Sequence, residues 1–310
     1  MEAHELDYDL PRELIAQTPA PRRDGSRLLV YSRATRDVAH HVFGDLPGLL
    51  PAGTLPVVND TRVVPARIAI DRPRGEVLLV EQLDDGTWEA LARPSRRLRA
   101  GRTYGPVELV AELGEGRWRV RLDGEPAGRA PLPPYISTPL DDEERYQTVY
   151  AREPGSAAAP TAGLHFTDGL LAQLAVERVT LHVGLDTFRP LQADIVEEHP
   201  IHGERYRVEP GAWERIRSAE QVLAVGTTTV RVLETVAGGG PLVGRTDLFI
   251  TPGFAFRRVD HLLTNFHLPR STLLALVMAF AGVQVVRELY AEAIAERYRF
   301  YSFGDAMLIL

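Results

Sequence analysis

EVLLVEQLDDGTWEALAR, residues 76–93, reads as strand, tight turn, strand: period-two apolar runs flank Asp84-Asp85-Gly86, a hairpin signal. VELVAELGEGRWRVRLD, residues 107–123, repeats the pattern around Gly114-Glu115-Gly116. Together they predict a small antiparallel β-barrel domain over 69–146, left through the proline-rich PLPPYI and the charged DDEERYQTVYA. On both sides the pattern is mixed. DYDLPRELIAQ predicts a short capped helix, SRLLVYS and TLPVV predict strands, and after residue 150 strands (VTLHV, QVLAV, AMLIL) alternate with helices (GLLAQLAVE, TVRVLETVA and 283–298). The expected fold is therefore α/β, a discontinuous main domain from 1–68 and 147–310 around the inserted barrel.

SAAAPTAGLHFT, residues 156–167, suits neither a packed helix nor a strand. Its small residues let backbone approach a ligand, Pro160 and Gly163 punctuate a turn, and Thr161, His165 and Thr167 bring polar groups together. Thr167-Asp168 also reads as the cap of the following helix, which accounts for Thr167 alone.

The 310 residues contain no cysteine and no lysine, and all 35 basic residues are arginine. Thiolate ligands, iron–sulfur clusters, cysteine nucleophiles and Schiff-base chemistry are thereby excluded. No apolar run approaches the ~20 residues of a membrane span, and the acidic N-terminal MEAHELDYDL does not read as a secretory signal, so a cytoplasmic protein is expected. The net charge of −7 argues against indiscriminate nucleic-acid binding. Arginine nevertheless outnumbers acid over 62–129. Arg93, Arg96 and Arg97 cluster, and RWRVRL alternates Arg117, Arg119 and Arg121 on one strand face, which is either solvated or a phosphate-contacting stripe.

In VLAVGTTTVRVLE a buried strand runs into the first turn of a helix, where free N–H groups, Thr227, Thr228 and Thr229 can meet an anion with Arg231 one turn away. One threonine serving as a cap is the plainer reading. TNFHLPRSTLL sets Asn265, His267 and Arg270 before a helix capped by Ser271 or Thr272. FGDAMLIL places Asp305 ahead of the last strand, where a carboxylate can accept hydrogen bonds from a ribose or base. EEHPIHGERY offers Glu197, Glu198, His199 and His202, but Pro200 breaks the helix that would present them, so no metal is expected.

The series DYDLPRELIAQTP, RRDGSRLLV, NDTRVVPARI, RPSRRLRAG, PLPPYI, ERYQTVYA, APTAGLHFT, LHVGLDTFRP, AVGTTTVRVLE, TNFHLPRSTLL and FGDAML resembles the S-adenosylmethionine:tRNA ribosyltransferase-isomerase family of queuosine biosynthesis, in unbroken order from residue 6. The resemblance implies an α/β domain with an inserted barrel. It implies transfer of the ribosyl group of S-adenosylmethionine to 7-aminomethyl-7-deazaguanine in tRNA and its rearrangement to epoxyqueuosine, with adenine and methionine leaving. S-adenosylmethionine is then a cosubstrate, and no other cofactor is expected. It also implies substrate contacts in NDTR (Asn59, Asp60, Arg62) and in LDTFR (Thr187, Arg189), beside Thr161, Gly163, the threonine turn, Arg231, Asn265 and Arg270. The sulfonium acidifies the ribose 5′-carbon, so a base must take a proton. Without lysine or cysteine that base is a histidine or carboxylate, with His165 first, His182 and His267 next, and Asp305 beside them. The tRNA contacts are expected on Arg93, Arg96, Arg97, Arg117, Arg119 and Arg121. Asp186, Pro56 and Arg245 stand where the family pattern has glycine, a leucine-valine strand and tryptophan. Two other classes remain open: a metal-dependent hydrolase using Glu198, His199 and His202, and an RNA-binding protein without catalysis.

Overall fold

The computed structural model describes residues 1–184, 191, 193–201 and 203–310; Asp186, Thr187, Arg189 and His202 lie outside the described residues. Strands β1 (Arg27–Tyr31), β2 (Val38–Val42) and β3 (Thr54–Asn59) precede the short β4 (Thr61–Val63). Then come β5 (Arg67–Asp71), β6 (Arg74–Gln82), β7 (Trp88–Arg93), β8 (Arg102–Tyr104), β9 (Val107–Gly114) and β10 (Arg117–Leu122). After them follow β11 (Glu153–Ser156), β12 (Glu177–Leu181), β13 (Glu204–Arg207), β14 (Gln221–Val225), β15 (Val243–Thr246), β16 (His261–Asn265) and β17 (Ala306–Ile309). The helices are α1 (Leu46–Leu49), α2 (Asp168–Leu171), α3 (Pro210–Ser218), α4 (Thr227–Ala237), α5 (Thr272–Ala281) and α6 (Val283–Ala295).

Nine strands share one sheet in the order β15-β13-β12-β3-β14-β16-β17-β1-β2, so strands from both ends of the chain lie side by side. The four at its centre, β12, β3, β14 and β16, are parallel. Being covered on both faces, they read as apolar runs without alternation. Val57, Val222, Ala224 and Leu262 face the core under α4, α5 and α6, whereas Val58, Leu223, Val225 and Leu263 face a second core with Phe43, Phe166 and Leu170. Pro56 is tolerated in this central strand because β12 pairs with β3 only from Val57 onward, which leaves the missing N–H without a ladder partner to lose.

The second sheet, β5-β6-β7-β10-β9-β8, is antiparallel with its hairpins at 84–86 and 114–116, as the sequence predicts. It is a half-barrel rather than a closed one. The outer edge of β5 is occupied by the returning chain: Arg67 and Arg129 exchange backbone hydrogen bonds of 3.0 and 2.9 Å. One face packs Ile68, Val77, Leu79, Ala90, Trp118 and Val120 into a separate core. On β10, Trp118 and Val120 point inward and Arg117, Arg119 and Arg121 outward, the expected alternation.

Two helices differ from expectation. DYDLPRELIAQ, residues 7–17, forms only one 3-10 turn, Arg12–Leu14, entered through Pro11, which has no N–H to continue a helix from the residues before it; a separate turn, Ala3–Leu6, precedes the stretch. GLLAQLAVE is helical only over Asp168–Leu171, its Thr167 Oγ1 accepting the Leu170 N–H as the cap requires. No single helix among the described residues is long and apolar enough to cross a membrane.

Trp118 is buried and its indole N–H donates to Ser95 Oγ at 3.1 Å. Trp118→Ala should lower the unfolding free energy by about 3–5 kcal/mol, read from urea unfolding. A loss below about 1 kcal/mol would mean that the half-barrel has no packed core of its own.

Candidate functional site

The loops after the parallel strands converge at one end of the large sheet, where open α/β folds carry their ligands. Two cavities lie there. A slot of about 60 Å³ is lined by Thr161, Thr227, Thr228, Asn265 and His267, with Tyr135 and Ser302 closing it. A cleft of about 480 Å³ opens between the half-barrel and the β12–β13 side of the main sheet. His182, Gly155 and Arg231 line it, and Arg117 reaches it from β10. Only the cleft has the ~300–1,000 Å³ of a small-molecule site. Leu273 lines both cavities, and Val183 of the slot lies between His182 and Gly184 of the cleft.

The slot brings together three motifs far apart in the chain. Gly226, with φ of 87°, turns the chain from β14 into α4, so Thr227 and Thr228 open the helix at the slot. Thr229 turns away, its Oγ1 donating to Val225 O at 2.7 Å. Asn265 Nδ2 donates to the carbonyls of Tyr301 and Asp305 at 3.1 and 3.3 Å, and its Oδ1 is buried without a protein partner. His267 Nε2 lies 2.6 Å from Thr264 Oγ1. Burial pushes its pKa down to about 3, so the ring is neutral at pH 7.

His165 lines neither cavity. Its Nδ1 is 3.0 Å from Ser26 Oγ, its Nε2 is 3.3 Å from Asn265 Nδ2, and the ring stacks on Phe43. Burial, then the charges of Arg299 and Arg23, hold its pKa near 3. It thus buttresses Asn265 from behind. Gly163 belongs to the same wall, since a Cβ there would lie 1.9 Å from the Tyr150 hydroxyl.

Several other expected site residues act as pins. Asn59 gives Nδ2 to Leu181 O and Thr228 Oγ1 and takes the N–H groups of Thr61 and Leu181 on Oδ1. Asp60 accepts from Thr180 Oγ1 at 2.7 Å and pairs with Arg152 at 2.6 Å. Asp305 accepts the backbone N–H groups of Arg27 and Arg299, and burial raises its pKa. Arg270, at φ 50°, pairs with Asp7, and Arg62 pairs with Glu144. Arg231, expected to meet an anion at the α4 terminus, is instead neutralised by Glu204 and donates to the carbonyls of Thr246 and Leu248. Spacing along the helix placed it near the terminus but could not reveal the glutamate on β13.

The cleft wall contains residues that motif reading passed over. Glu81 of β6 pairs with Arg205 and with Arg245, tying the two sheets together, and Asp84 adds a second bond to Arg205. Gly155, Thr61 and Ser156 surround His182. Thr61 and Ser156 stand inside the NDTR and SAAAPTAGLHFT motifs, but residue spacing does not show that they meet at His182. Among the described residues no three of His, Asp and Glu are grouped as metal ligands; Glu198 and His199 are described, and His202 is not. Arg117, Arg119 and Arg121 pair with Glu89, Asp85 and Glu108, whereas the exposed Arg93, Arg96 and Arg97 form no ion pair among the described residues.

An α/β protein with a ligand-sized cleft at its strand ends, lined by a histidine whose pKa burial lowers and by charged side chains of a second sheet, is what this geometry defines. The chain belongs to the family described as queuosine biosynthesis protein, whose model matches residues 3–309. It is 54% identical over 328 residues to the S-adenosylmethionine:tRNA ribosyltransferase-isomerase of Rubrobacter xylanophilus, covering 100% of this chain and 98% of that one. The enzyme of the same name from Carboxydothermus hydrogenoformans is 50% identical, with both chains fully covered. The crystal structure of S-adenosylmethionine tRNA ribosyltransferase from Thermotoga maritima matches with a TM-score of 0.59 at 37% identity, over 99% of this chain and 100% of that one.

The buried histidines make a pH prediction. With folded pKa values near 3 against an ordinary 6.5, the unfolded chain binds more protons between those limits. Their contribution to stability is therefore complete above pH 6.5 and is lost as pH falls toward 3. Urea unfolding of His165→Asn should show a shallower decline from pH 6.5 to 4 than the parent chain. Equal slopes would show that His165 is protonated without penalty in the fold.

Proposed function

We propose that this chain transfers the ribosyl group of S-adenosylmethionine to 7-aminomethyl-7-deazaguanine in tRNA and isomerises it, giving epoxyqueuosine-tRNA and releasing adenine and methionine. The observation that carries the reading is full-length identity of about one residue in two to relatives bearing that enzyme's name. The site is chemically suited to it. Neutral imidazoles and hydroxyls can move a proton and hold a leaving base, and neither step needs a thiol, an amine nucleophile or a further cofactor. The cleft takes the ribosyl group and the modified base, while the slot, with Asn265 Oδ1 as a free acceptor, takes an amino-bearing fragment of the cosubstrate. Thr187 and Arg189 belong to the same reading as substrate contacts. In this reading the chain works on tRNA in the cytoplasm, as a discontinuous domain of 1–68 and 147–310 around an insert of 69–146; strands from both chain ends in one sheet support that division.

Incubating the enzyme with S-adenosylmethionine and precursor-bearing tRNA should give epoxyqueuosine on nucleoside mass spectrometry, with adenine released in equal amount. Binding of tRNA without adenine release would leave an RNA-binding protein. Loss of turnover on chelation, restored by zinc or manganese, would favour a metal-dependent enzyme.

The unpaired Arg96 and Arg97, with Arg93 beside them, are the favoured phosphate surface, ahead of the paired stripe on β10. Arg96→Ala/Arg97→Ala should raise KM for tRNA and lower the slope of log affinity against log salt by up to about one unit for each lost contact. The KM for S-adenosylmethionine should not move. Wild-type tRNA affinity and slope in the double variant would assign the docking surface elsewhere.

A further inference from the structure

The NDTR turn and the SAAAP loop are joined by a two-stranded parallel pair, β4 against β11, with Thr61 opposite Glu153 and Val63 opposite Ser156. This pairing sets Thr61 Oγ1 2.7 Å from Ser156 Oγ and 3.0 Å from His182 Nδ1. Both hydroxyl residues are fully buried. Ser156 Oγ also accepts the Val183 N–H at 2.8 Å, and the Glu153 carbonyl lies 3.3 Å from Thr61 Oγ1.

Counting protons orders this chain of bonds. A hydroxyl donates once and accepts twice. The Glu153 carbonyl can only accept, so it takes the Thr61 proton. Ser156, already accepting from Val183, gives its own proton to Thr61. The second lone pair of Thr61 then takes the proton of His182 Nδ1, and every contact in the chain is used. The reverse arrangement, with Thr61 donating to Nδ1, leaves the Glu153 contact empty. A histidine protonated on Nδ1 keeps its lone pair on Nε2. That atom has no hydrogen-bond partner among the described residues, and His182 lines the ligand-sized cleft. Gly155 makes room for the ring: its φ is 145°, and a Cβ there would lie 2.8 Å from both Cε1 and Nδ1.

Resting on the ribosyl-transfer reading, we propose that Thr61 and Ser156 are positioning residues that hold His182 as its Nδ1–H tautomer, and that His182 Nε2 takes the 5′-proton of the S-adenosylmethionine ribosyl group. The Nε2 lone pair forms the new N–H bond, and the electrons of the broken C5′–H bond remain on carbon beside the sulfonium. A cationic substrate and a neutral imidazole thus become a neutral ylide and an imidazolium. Burial lowers the His182 pKa, Arg205 and Arg207 lower it further, and Glu153 and Asp60 oppose them. His165 has both ring nitrogens engaged outside the cleft, and His267 opens on the smaller slot.

Nitrogen-15 NMR of histidine-labelled enzyme, with the His182 signals assigned by their absence in His182→Ala, should show Nδ1 protonated and Nε2 bare. In Thr61→Val the ring should shift toward the other tautomer. For adenine release, His182→Ala should lower kcat by about 10²–10⁴-fold. Thr61→Val should lower kcat by about tenfold with KM for both substrates within about twofold, and Thr61→Ser should restore it. An Nε2-protonated His182 in active enzyme, wild-type kcat in Thr61→Val, or substantial turnover in His182→Ala would each overturn the proposal. A parent enzyme that shows the stated tautomer but releases no adenine would instead overturn the reaction, and the base with it, while the positioning by Thr61 would stand.

Discussion

The arrangement of the site depends on a buried amide. Asn59 closes β3, and its four hydrogen bonds hold the end of β12, the turn into β4 and the first turn of α4. Because Asn59 is fully buried, a lost partner in such a cluster leaves a desolvated polar group costing about 1–3 kcal/mol, so these elements keep one relative position. Asn265 does the same for β16, tying it to the 301–305 turn, and His165 packs behind it. The strand ends are thereby set as a rigid floor on which the loops between 155 and 165 rest.

Charge is distributed by a different rule. Arg231, Arg270, Arg62 and Arg245, all of them in or beside motifs, are matched with Glu204, Asp7, Glu144 and Glu81. The half-buried Arg231–Glu204 pair is a case where either partner alone would be less tolerable than both, since an unpaired charge would remain on a partly desolvated wall. Glu81 and Arg245 join the half-barrel to the main sheet across the cleft. That ion pair is largely exposed, so it is weak and salt-sensitive.

The chemistry left in the cleft follows from these commitments. The cleft has no lysine, and Glu81, Glu89 and Glu204 on its wall are held in ion pairs with Arg205 and Arg245, Arg117, and Arg231, so the imidazole of His182 is the base we favour there. Depressed histidine pKa values suit a base that must be uncharged before reaction, and burial is the leading cause for His165, His182 and His267 alike. What separates them is access, because only His182 lines the larger cavity.

Much of this protein is set by local sequence. Hairpins at 84–86 and 114–116, the apolar parallel strands and the caps at Thr167 and Ser271 are short-range consequences of turn chemistry and periodicity, so they are legible without a structure. The same holds for the exclusion of thiol and amine chemistry and for the ordered motifs that mark the family. Tertiary structure alone decided the rest. The half-barrel stays open because the chain at 128–129 returns to β5, a contact between residues about sixty positions apart. The threonine turn lost its arginine to a glutamate on another strand, and His165, in the most suggestive loop, turned into the core while His182 faced the cleft. Side-chain direction and the identity of a distant partner depend on packing between elements remote in sequence, and residue spacing carries no record of either.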